Sequence, residues 1–214
     1  MSTFLSGGVP IRIQAYNATT PGTHPALILF HGAGGNVEHW LQYLTPAINR
    51  LGINIYAVHY FDRTKTQRAD LTLIQDGVHV PLWIATATDA LAHIAALPSV
   101  DKRRISLLGI SLGAFLSLAL ATEAKPIRAV IDISGGLAEP WSTRATSAFP
   151  QTLILHGEAD TTIPVSHARN LDDLLNRLEV RHQTVLFPNE GHYFSPAACL
   201  SILGIISDFL SKNL

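Results

Sequence analysis

The stretch that decides the fold is Ile105-Ser106-Leu107-Leu108-Gly109-Ile110-Ser111-Leu112-Gly113-Ala114-Phe115-Leu116-Ser117-Leu118-Ala119-Leu120-Ala121. Its first four residues form an apolar run that predicts a buried strand, and its last eight are apolar nearly all round, which predicts a buried helix. Between them, Ser111 has glycines two residues before and two residues after it. A serine in such a turn adopts a strained backbone conformation, and side chains in place of the glycines would collide with the crossing strand and helix. The stretch therefore predicts a strand, a sharp turn that presents a serine, and a helix, which is the context of a nucleophile elbow.

Segments with strand and helix patterns alternate along the rest of the chain. Residues Val9–Tyr16 alternate between apolar and polar side chains, which predicts a half-exposed edge strand. The other predicted strands cover 26–30, 53–58, 127–133, 152–155 and 183–187, and the other predicted helices follow Asn36, span 78–97, begin at Ser166 and span 197–210. We therefore expect an α/β fold, with one doubly wound, mostly parallel sheet in a single domain over residues 1–214. In such sheets, ligands bind beyond the carboxyl ends of the strands.

Two long connections carry no clear strand or helix pattern. Residues 59–75 are polar and form either a surface excursion or part of an active-site rim. Residues 134–150 are rich in Gly, Ser, Thr and Pro, which is typical of a loop or a short cap over a site. Because this second connection is short, we expect the fold to carry no large lid.

The composition argues against several classes of partner. The chain has 47% hydrophobic and 14% charged residues and a formal net charge of −1, so neither a nucleic-acid-binding surface nor a polyanionic one is indicated. The N-terminus lacks the basic and apolar regions of a signal peptide, and no uncharged apolar segment approaches the length of a membrane span. We expect a cytoplasmic protein that binds neither nucleic acid nor membrane, while the sequence carries no indication of its oligomeric state.

Cofactor and metal sites are not indicated either. Cys199 is the only cysteine, which excludes an intramolecular disulfide, and its setting predicts a small core hydrophobe. The histidines show no metal-ligand spacing, and no P-loop or G-x-G-x-x-G motif follows a predicted strand. We therefore predict no cofactor and no metal.

The residues that suggest chemistry follow the ends of predicted strands. A serine hydroxyl such as that of Ser111 needs a base to act as a nucleophile, and the base needs an orienting acid. Downstream of Ser111, the segment 156–160 (His-Gly-Glu-Ala-Asp) follows one strand and the segment 189–192 (Asn-Glu-Gly-His) follows the last strand. The order serine, acid, histidine is the one found in α/β-hydrolases.

On these motifs, the sequence resembles the α/β-hydrolase superfamily, and within it the dienelactone-hydrolase-like branch of small serine esterases. The matching pieces are His31-Gly32-Ala33-Gly34-Gly35, Gly109-Ile110-Ser111-Leu112-Gly113, the segment from His156 to Pro164, and Gly191-His192. The resemblance covers the chain from about Leu27 onward. Four motifs in the right order are far more specific than any one of them.

The resemblance implies a role for each matching residue. Ser111 is expected to be the nucleophile, His192 the general base and then acid, and Asp160 the residue that fixes the tautomer of the imidazole. The oxyanion hole is expected to use the backbone N–H groups of Leu112 and Ala33.

Other assignments remain open at this stage. Gly34 is an alternative to Ala33 in the oxyanion hole. Asp132, near the end of the predicted strand 127–133, is an alternative to Asp160 as the acid, and Glu158 is a weaker alternative. The histidines that end two predicted strands, His31 and His156, are interpreted as structural loop residues. The arginines of the two long connections are interpreted as solvated, with a clamp on a substrate carboxylate as the alternative; these are Arg63, Arg68 and Arg144.

The chain departs from the dienelactone hydrolase pattern at two points. The best-known members use a cysteine nucleophile and place a substrate-binding arginine soon after the catalytic histidine, whereas this chain has Ser111 and continues His192-Tyr193-Phe194. Apolar aromatic residues suit a less charged acyl or alkyl group. A serine carboxylesterase that acts on small or short-chain esters is therefore expected.

Competing functions share the same scaffold. They are a dienelactone-type lactone or thioester hydrolase, a serine peptidase-like member of the superfamily, and a protein that binds a ligand without catalysis. The presence of every member of the expected triad in order argues against the last of these.

Overall fold

Eight strands form one mixed sheet in the computed structural model, which describes residues 1–123 and 126–214 and every side chain among them except that of His39. The strands are β1 (Ser2–Ser6), β2 (Val9–Tyr16), β3 (His24–Phe30), β4 (Asn54–Val58), β5 (Val100–Ile110), β6 (Ala129–Ile133), β7 (Gln151–Gly157) and β8 (His182–Phe187). Their order in the sheet is β1-β2-β4-β3-β5-β6-β7-β8. Strands β3 to β8 are parallel to one another, and β1 and β2 pair antiparallel at one side. The doubly wound, mostly parallel sheet predicted from the sequence is confirmed.

Helices cover both faces of this sheet. They are α1 (Glu38–Asn49), α2 (Leu71–Gln75), α3 (His79–Ala95), α4 (Leu112–Ala121), α5 (Ser166–Arg177) and α6 (Pro196–Asn213). Apolar residues of α3, α4 and α5 pack in one core layer, and those of α1 and α6 pack in the layer on the opposite face. Of the helices in the described part of the chain, none has both the length and the apolar character needed to cross a membrane.

The central strand β5 lies between β3 and β6 and carries the serine turn at its carboxyl end. Phe30 of β3 pairs with Gly109, and Ile133 of β6 pairs with Ile110. Residues Ala26–Phe30 of β3 and the apolar residues Ile105, Leu107 and Leu108 of β5 are fully buried, as expected for strands covered on both faces. The register therefore brings the ends of β3, β5 and β6 together beside Ser111.

The prediction that Val9–Tyr16 is an edge strand was wrong. Strand β1 pairs outside it, with Ser6 opposite Val9, and the turn between them uses Gly7 and Gly8 at φ +49° and +81°. A five-residue strand with three exposed positions gives little periodic signal, because only Phe4 and Ser6 turn inward. The Gly-Gly pair was the available signal, since it permits a tight hairpin turn.

The two long connections contain short helical segments. Residues Tyr60–Thr64 form a 3₁₀ helix and are followed by α2, so the segment 59–75 is more ordered than its sequence predicted. The connection between β6 and β7 contains one three-residue 3₁₀ turn, Ser142–Arg144. Neither connection forms a separate layer over the sheet, which agrees with the expected fold without a large lid.

Candidate active site

Ser111 occupies a strained turn between β5 and α4. Its φ of +54° and ψ of −119° lie outside the regions that L-residues usually adopt. A Cβ at Gly113 would overlap the carbonyl of Phe30, and one at Gly109 would overlap the backbone of Ala114. Both glycines are therefore needed because the helix crosses the ends of β3 and β5 at backbone contact distance, as the sequence predicted.

Three side chains from three strand ends form one hydrogen-bonded row. Nε2 of His192 lies 3.0 Å from Oγ of Ser111, and Nδ1 of His192 lies 2.7 Å from Oδ2 of Asp160. Because Oδ2 accepts from Nδ1–H, Nε2 is left to accept the hydroxyl proton of Ser111. The Asp160 side chain is fully buried and that of His192 is 11% exposed. The structure thus brings together the three residues that the sequence assigned to a triad.

The carboxylate of Asp160 is held by its own loop. Its Oδ1 accepts hydrogen bonds from the backbone N–H groups of Thr162 and Ile163, both at 2.8 Å. This arrangement leaves Oδ2 as the oxygen that faces His192. The two backbone donors therefore contribute to the orientation of the carboxylate, in addition to its contact with His192.

The loop that carries Asp160 (residues 158–163, the acid loop) and the loop that carries His192 (residues 188–195, the histidine loop) are hydrogen-bonded to each other. Ala159 N–H donates to the carbonyl of Glu190 at 2.9 Å, and Glu158 N–H donates to the carbonyl of Phe187 at 3.0 Å. A Cβ at Gly157 would overlap the same Glu190 carbonyl. The side chain of Glu190 in turn accepts from Ser195 at the start of α6. The two loops consequently hold Asp160 and His192 in a fixed relation.

The predicted oxyanion donors flank Ser111. Leu112 begins α4, whose N-terminus carries the positive end of the helix dipole. The loop that contains Ala33 approaches from the end of β3, since a Cβ at Gly32 would lie 3.9 Å from Oγ of Ser111. In the part of the chain that the structure describes, the N–H groups of Ala33 and Leu112 donate no backbone hydrogen bond, so each can donate to a substrate oxygen.

The start of this loop is stabilised by Tyr60, a residue that the sequence did not predict to have a role. Tyr60 is fully buried, and its hydroxyl donates to the carbonyl of His31 at 2.7 Å. The two rings stack with centroids 4.2 Å apart. Burial lowers the pKa of His31 to about 4, so its ring is neutral, and Nδ1–H donates to the carbonyl of Gly32. His31 is therefore a structural residue, as interpreted from the sequence. The available signal for Tyr60 was its place, beside Phe61, soon after the predicted strand 53–58.

The rival acids lie in different surroundings. Glu158 forms an exposed ion pair with Arg169 on α5, at 3.2 Å. Asp132 is fully buried in β6, and neither of its carboxyl oxygens has a hydrogen bond of good geometry among the described residues. Burial raises the pKa of Asp132 to about 7, opposed by the nearby N–H of Gly135. Since Asp160 is the carboxylate that His192 contacts, neither rival takes its place in this structure.

The aromatic residues that follow His192 and the arginines of the two long connections lie in different surroundings. Tyr193 is 87% exposed and touches His192 edge-on, with ring centroids 5.4 Å apart, whereas Phe194 packs inward against Phe187. Of the two aromatic residues, Tyr193 is therefore the more accessible. Of the three arginines, Arg63 donates to the carbonyls of the β1–β2 turn and is structural, while Arg68 and Arg144 are exposed.

A metal site is not apparent in the described residues. Within them, His, Cys, Asp and Glu side chains do not gather in groups of three that suit an ion. Cys199 is buried, and burial raises the pKa of its thiol.

Comparisons with known proteins identify relatives of the chain. The chain is 27% identical over 175 residues to the mitochondrial acyl-coenzyme A thioesterase 2 of Homo sapiens, which covers 78% of this chain and 32% of that protein. It is 32% identical over 140 residues to acyl-coenzyme A thioesterase 5 of Mus musculus, covering 63% and 30%. The chain thus spans about a third of the length of these relatives.

Solved structures with the same fold cover nearly the whole chain. A dienelactone hydrolase-like promiscuous phosphotriesterase from metagenomic libraries has a TM-score of 0.85 at 18% identity, covering 99% of this chain and 96% of that one. Dienelactone hydrolase from Anabaena variabilis has a TM-score of 0.78 at 16% identity, with coverage of 99% and 96%. Both likenesses concern the α/β-hydrolase fold. The sequence model of the dienelactone hydrolase family matches residues 13–198, and the chain belongs to that family.

Proposed function

We propose that this protein is a serine hydrolase that cleaves carboxylic ester bonds of small substrates through an acyl-enzyme. The observation that carries the proposal is the row of hydrogen bonds from Ser111 through His192 to Asp160, at 3.0 and 2.7 Å, on a serine held at φ +54°. Membership of the dienelactone hydrolase family supports a hydrolase that acts on ester bonds.

The proposed reaction has two halves. In the first, Oγ of Ser111 attacks the ester carbonyl as Nε2 of His192 takes its proton, and the oxyanion is stabilised by the N–H groups of Leu112 and Ala33. His192 then gives the proton to the departing alcohol, which leaves an acyl group on Ser111. In the second half, His192 removes a proton from water, the resulting hydroxide attacks the acyl group, and the acid departs as Oγ regains the proton.

Labelling with a fluorophosphonate tests the nucleophile. The wild type is expected to gain the mass of one phosphonyl group, because Oγ displaces fluoride with His192 as base, and Ser111→Ala is expected to gain none. Ser201→Ala, which removes an exposed serine of α6, is the matched control and should label like the wild type. Intact-protein mass spectrometry reads out all three. Absence of label on the folded wild type would instead favour a ligand-binding protein without catalysis.

Thioester hydrolysis is the second candidate, because the thioesterase relatives share 27% and 32% identity with this chain. The same serine and histidine would serve either bond, since a thioester also passes through a tetrahedral oxyanion. A thiol leaves more readily than an alcohol, so the demand on His192 as an acid is smaller. The nature of the leaving group therefore separates the two candidates.

Substrate size is expected to be small. The β6–β7 connection carries only the short turn Ser142–Arg144 and offers little cover for a long chain. We expect kcat/KM for p-nitrophenyl acetate to exceed that for the palmitate by at least about tenfold, since each extra methylene gains affinity only where a pocket buries it. Assays of coenzyme A thioesters with the same acyl groups, made beside the ester assays, show whether an alcohol or a thiol is the preferred leaving group. A clear preference for palmitate would overturn the proposed size range.

A further inference from the structure

His156 is a fully buried histidine directly behind the acid of the site. It lies in β7, four residues before Asp160. Its Nε2 is 2.9 Å from the carbonyl oxygen of Ile163 and 3.5 Å from Oδ2 of Asp160. Both neighbours are acceptors, so Nε2 carries the proton.

The second ring nitrogen of His156, Nδ1, has different surroundings. Burial lowers the pKa of His156, which keeps the ring neutral, and Nδ1 therefore holds a bare lone pair. Among the residues that the structure describes, this buried Nδ1 has no hydrogen-bond partner. An unpartnered buried acceptor is unfavourable. An apolar side chain at this position would avoid the unpartnered nitrogen, but it would leave the carbonyl of Ile163 without the Nε2–H donor.

We propose that His156 is a positioning residue that fixes the rotation of the Asp160 carboxylate; this rests on the proposed function. Oδ1 of Asp160 accepts from the N–H of Ile163, and the carbonyl of Ile163 accepts from Nε2–H of His156. The same Nε2–H lies beside Oδ2. These contacts form a closed ring that includes the carboxylate and keeps Oδ2 directed at Nδ1 of His192.

A neutral ring suits this role better than a charged one. A second cation against Oδ2 would compete with the imidazolium that forms on His192 during the reaction. The neutral His156 orients the carboxylate by a dipole and leaves its full charge for His192. His167 on α5 is the further histidine that acts electrostatically on this ring, and it disfavours the charged form of His156.

Two amide substitutions test the proposal. In His156→Gln, the side-chain nitrogen reaches the position of Nε2, whereas in His156→Asn it stops near the position of Nδ1 and falls short of Ile163. We expect His156→Asn and His156→Leu to lower kcat for p-nitrophenyl acetate by about ten- to a hundredfold with KM little changed, because the acid is no longer held in register. His156→Gln is expected to be at least about tenfold more active than His156→Asn.

Proton NMR of the substrate-free protein supplies a readout that does not need turnover. The proton between Nδ1 of His192 and Oδ2 of Asp160 is expected as a low-field resonance in the wild type and in His156→Gln. It should broaden or shift in His156→Asn, because the carboxylate turns. Thermal melts report whether each variant is folded.

The outcomes separate the two proposals. Equal kcat and equal low-field spectra in folded His156→Gln and His156→Asn would overturn the positioning role, even if His156→Leu fails to fold. A wild type that shows the resonance but neither labels with fluorophosphonate nor hydrolyses esters or thioesters would contradict the proposed function instead, and the spectra alone would then decide the role of His156.

Discussion

Replacement of Asp160 by asparagine is expected to lower kcat/KM for p-nitrophenyl acetate by about 10⁴-fold. The N–H groups of Thr162 and Ile163 both donate to Oδ1, so the carbonyl oxygen of the new amide must remain there. Its NH₂ group then takes the place of Oδ2 and donates to Nδ1 of His192. The ring is forced to carry its proton on Nε2 and can no longer accept the proton of Ser111.

The matched control for this variant is Asp132→Asn, the same change in the rival acid of β6. It is expected to keep kcat/KM within about threefold of the wild type, because the hydrogen bond of His192 goes to Asp160. Steady-state kinetics at pH 7.5 on both variants, with melting curves to verify folding, make the comparison. If Asp132→Asn lost activity while Asp160→Asn kept it, Asp132 would be the acid of the site.

Asp132→Asn is also expected to change how stability depends on pH. The pKa of the Asp132 carboxyl has its ordinary value of 3.8 in the unfolded chain, and burial raises it to about 7 in the folded protein. Between these values the folded protein binds more protons than the unfolded chain, so the free energy of unfolding falls as pH rises from about 4 to about 7. The contribution of Asp132 is at most about 4 kcal/mol, from 1.36 kcal/mol for each unit.

Urea denaturation of the wild type and Asp132→Asn between pH 4 and pH 8 measures this contribution. Other ionisable groups are shared by the two proteins and cancel in the difference between their free energies of unfolding. We expect that difference to move steadily in favour of the variant as the pH is raised through this range. A difference that stays constant with pH would show that Asp132 keeps the same charge in the folded and unfolded states.

The serine turn was predictable from sequence because its requirements are local. The strand before Ser111, the helix after it and the lack of space at Gly109 and Gly113 all follow from residues adjacent in the chain. The candidate acid and base were located by their places after two strands, and they needed the family resemblance to be assigned roles. Their distances depend on the register of β5 to β8, which no local pattern specifies.

Features that depend on contacts between distant segments were missed. Strand β1 has too few buried positions to show a period, so its pairing with β2 was not predicted. Tyr60 contacts the backbone carbonyl of His31, and a sequence pattern does not report which carbonyl a buried side chain reaches. The contact of His156 with the nearby carbonyl of Ile163 likewise depends on the path of the loop between them. The choice between Asp160 and Asp132 likewise required the positions of side chains.

The hydrogen bonds between the acid loop and the histidine loop limit where this fold tolerates insertions. Because Ala159 and Glu158 donate to the carbonyls of Glu190 and Phe187, one added residue in either loop would move the carboxylate away from the imidazole. Extra chain is better accommodated between β6 and β7, where residues 139–148 are largely exposed. Grafted loops that alter substrate choice therefore belong in that connection, and the segments 158–163 and 188–195 should keep their length.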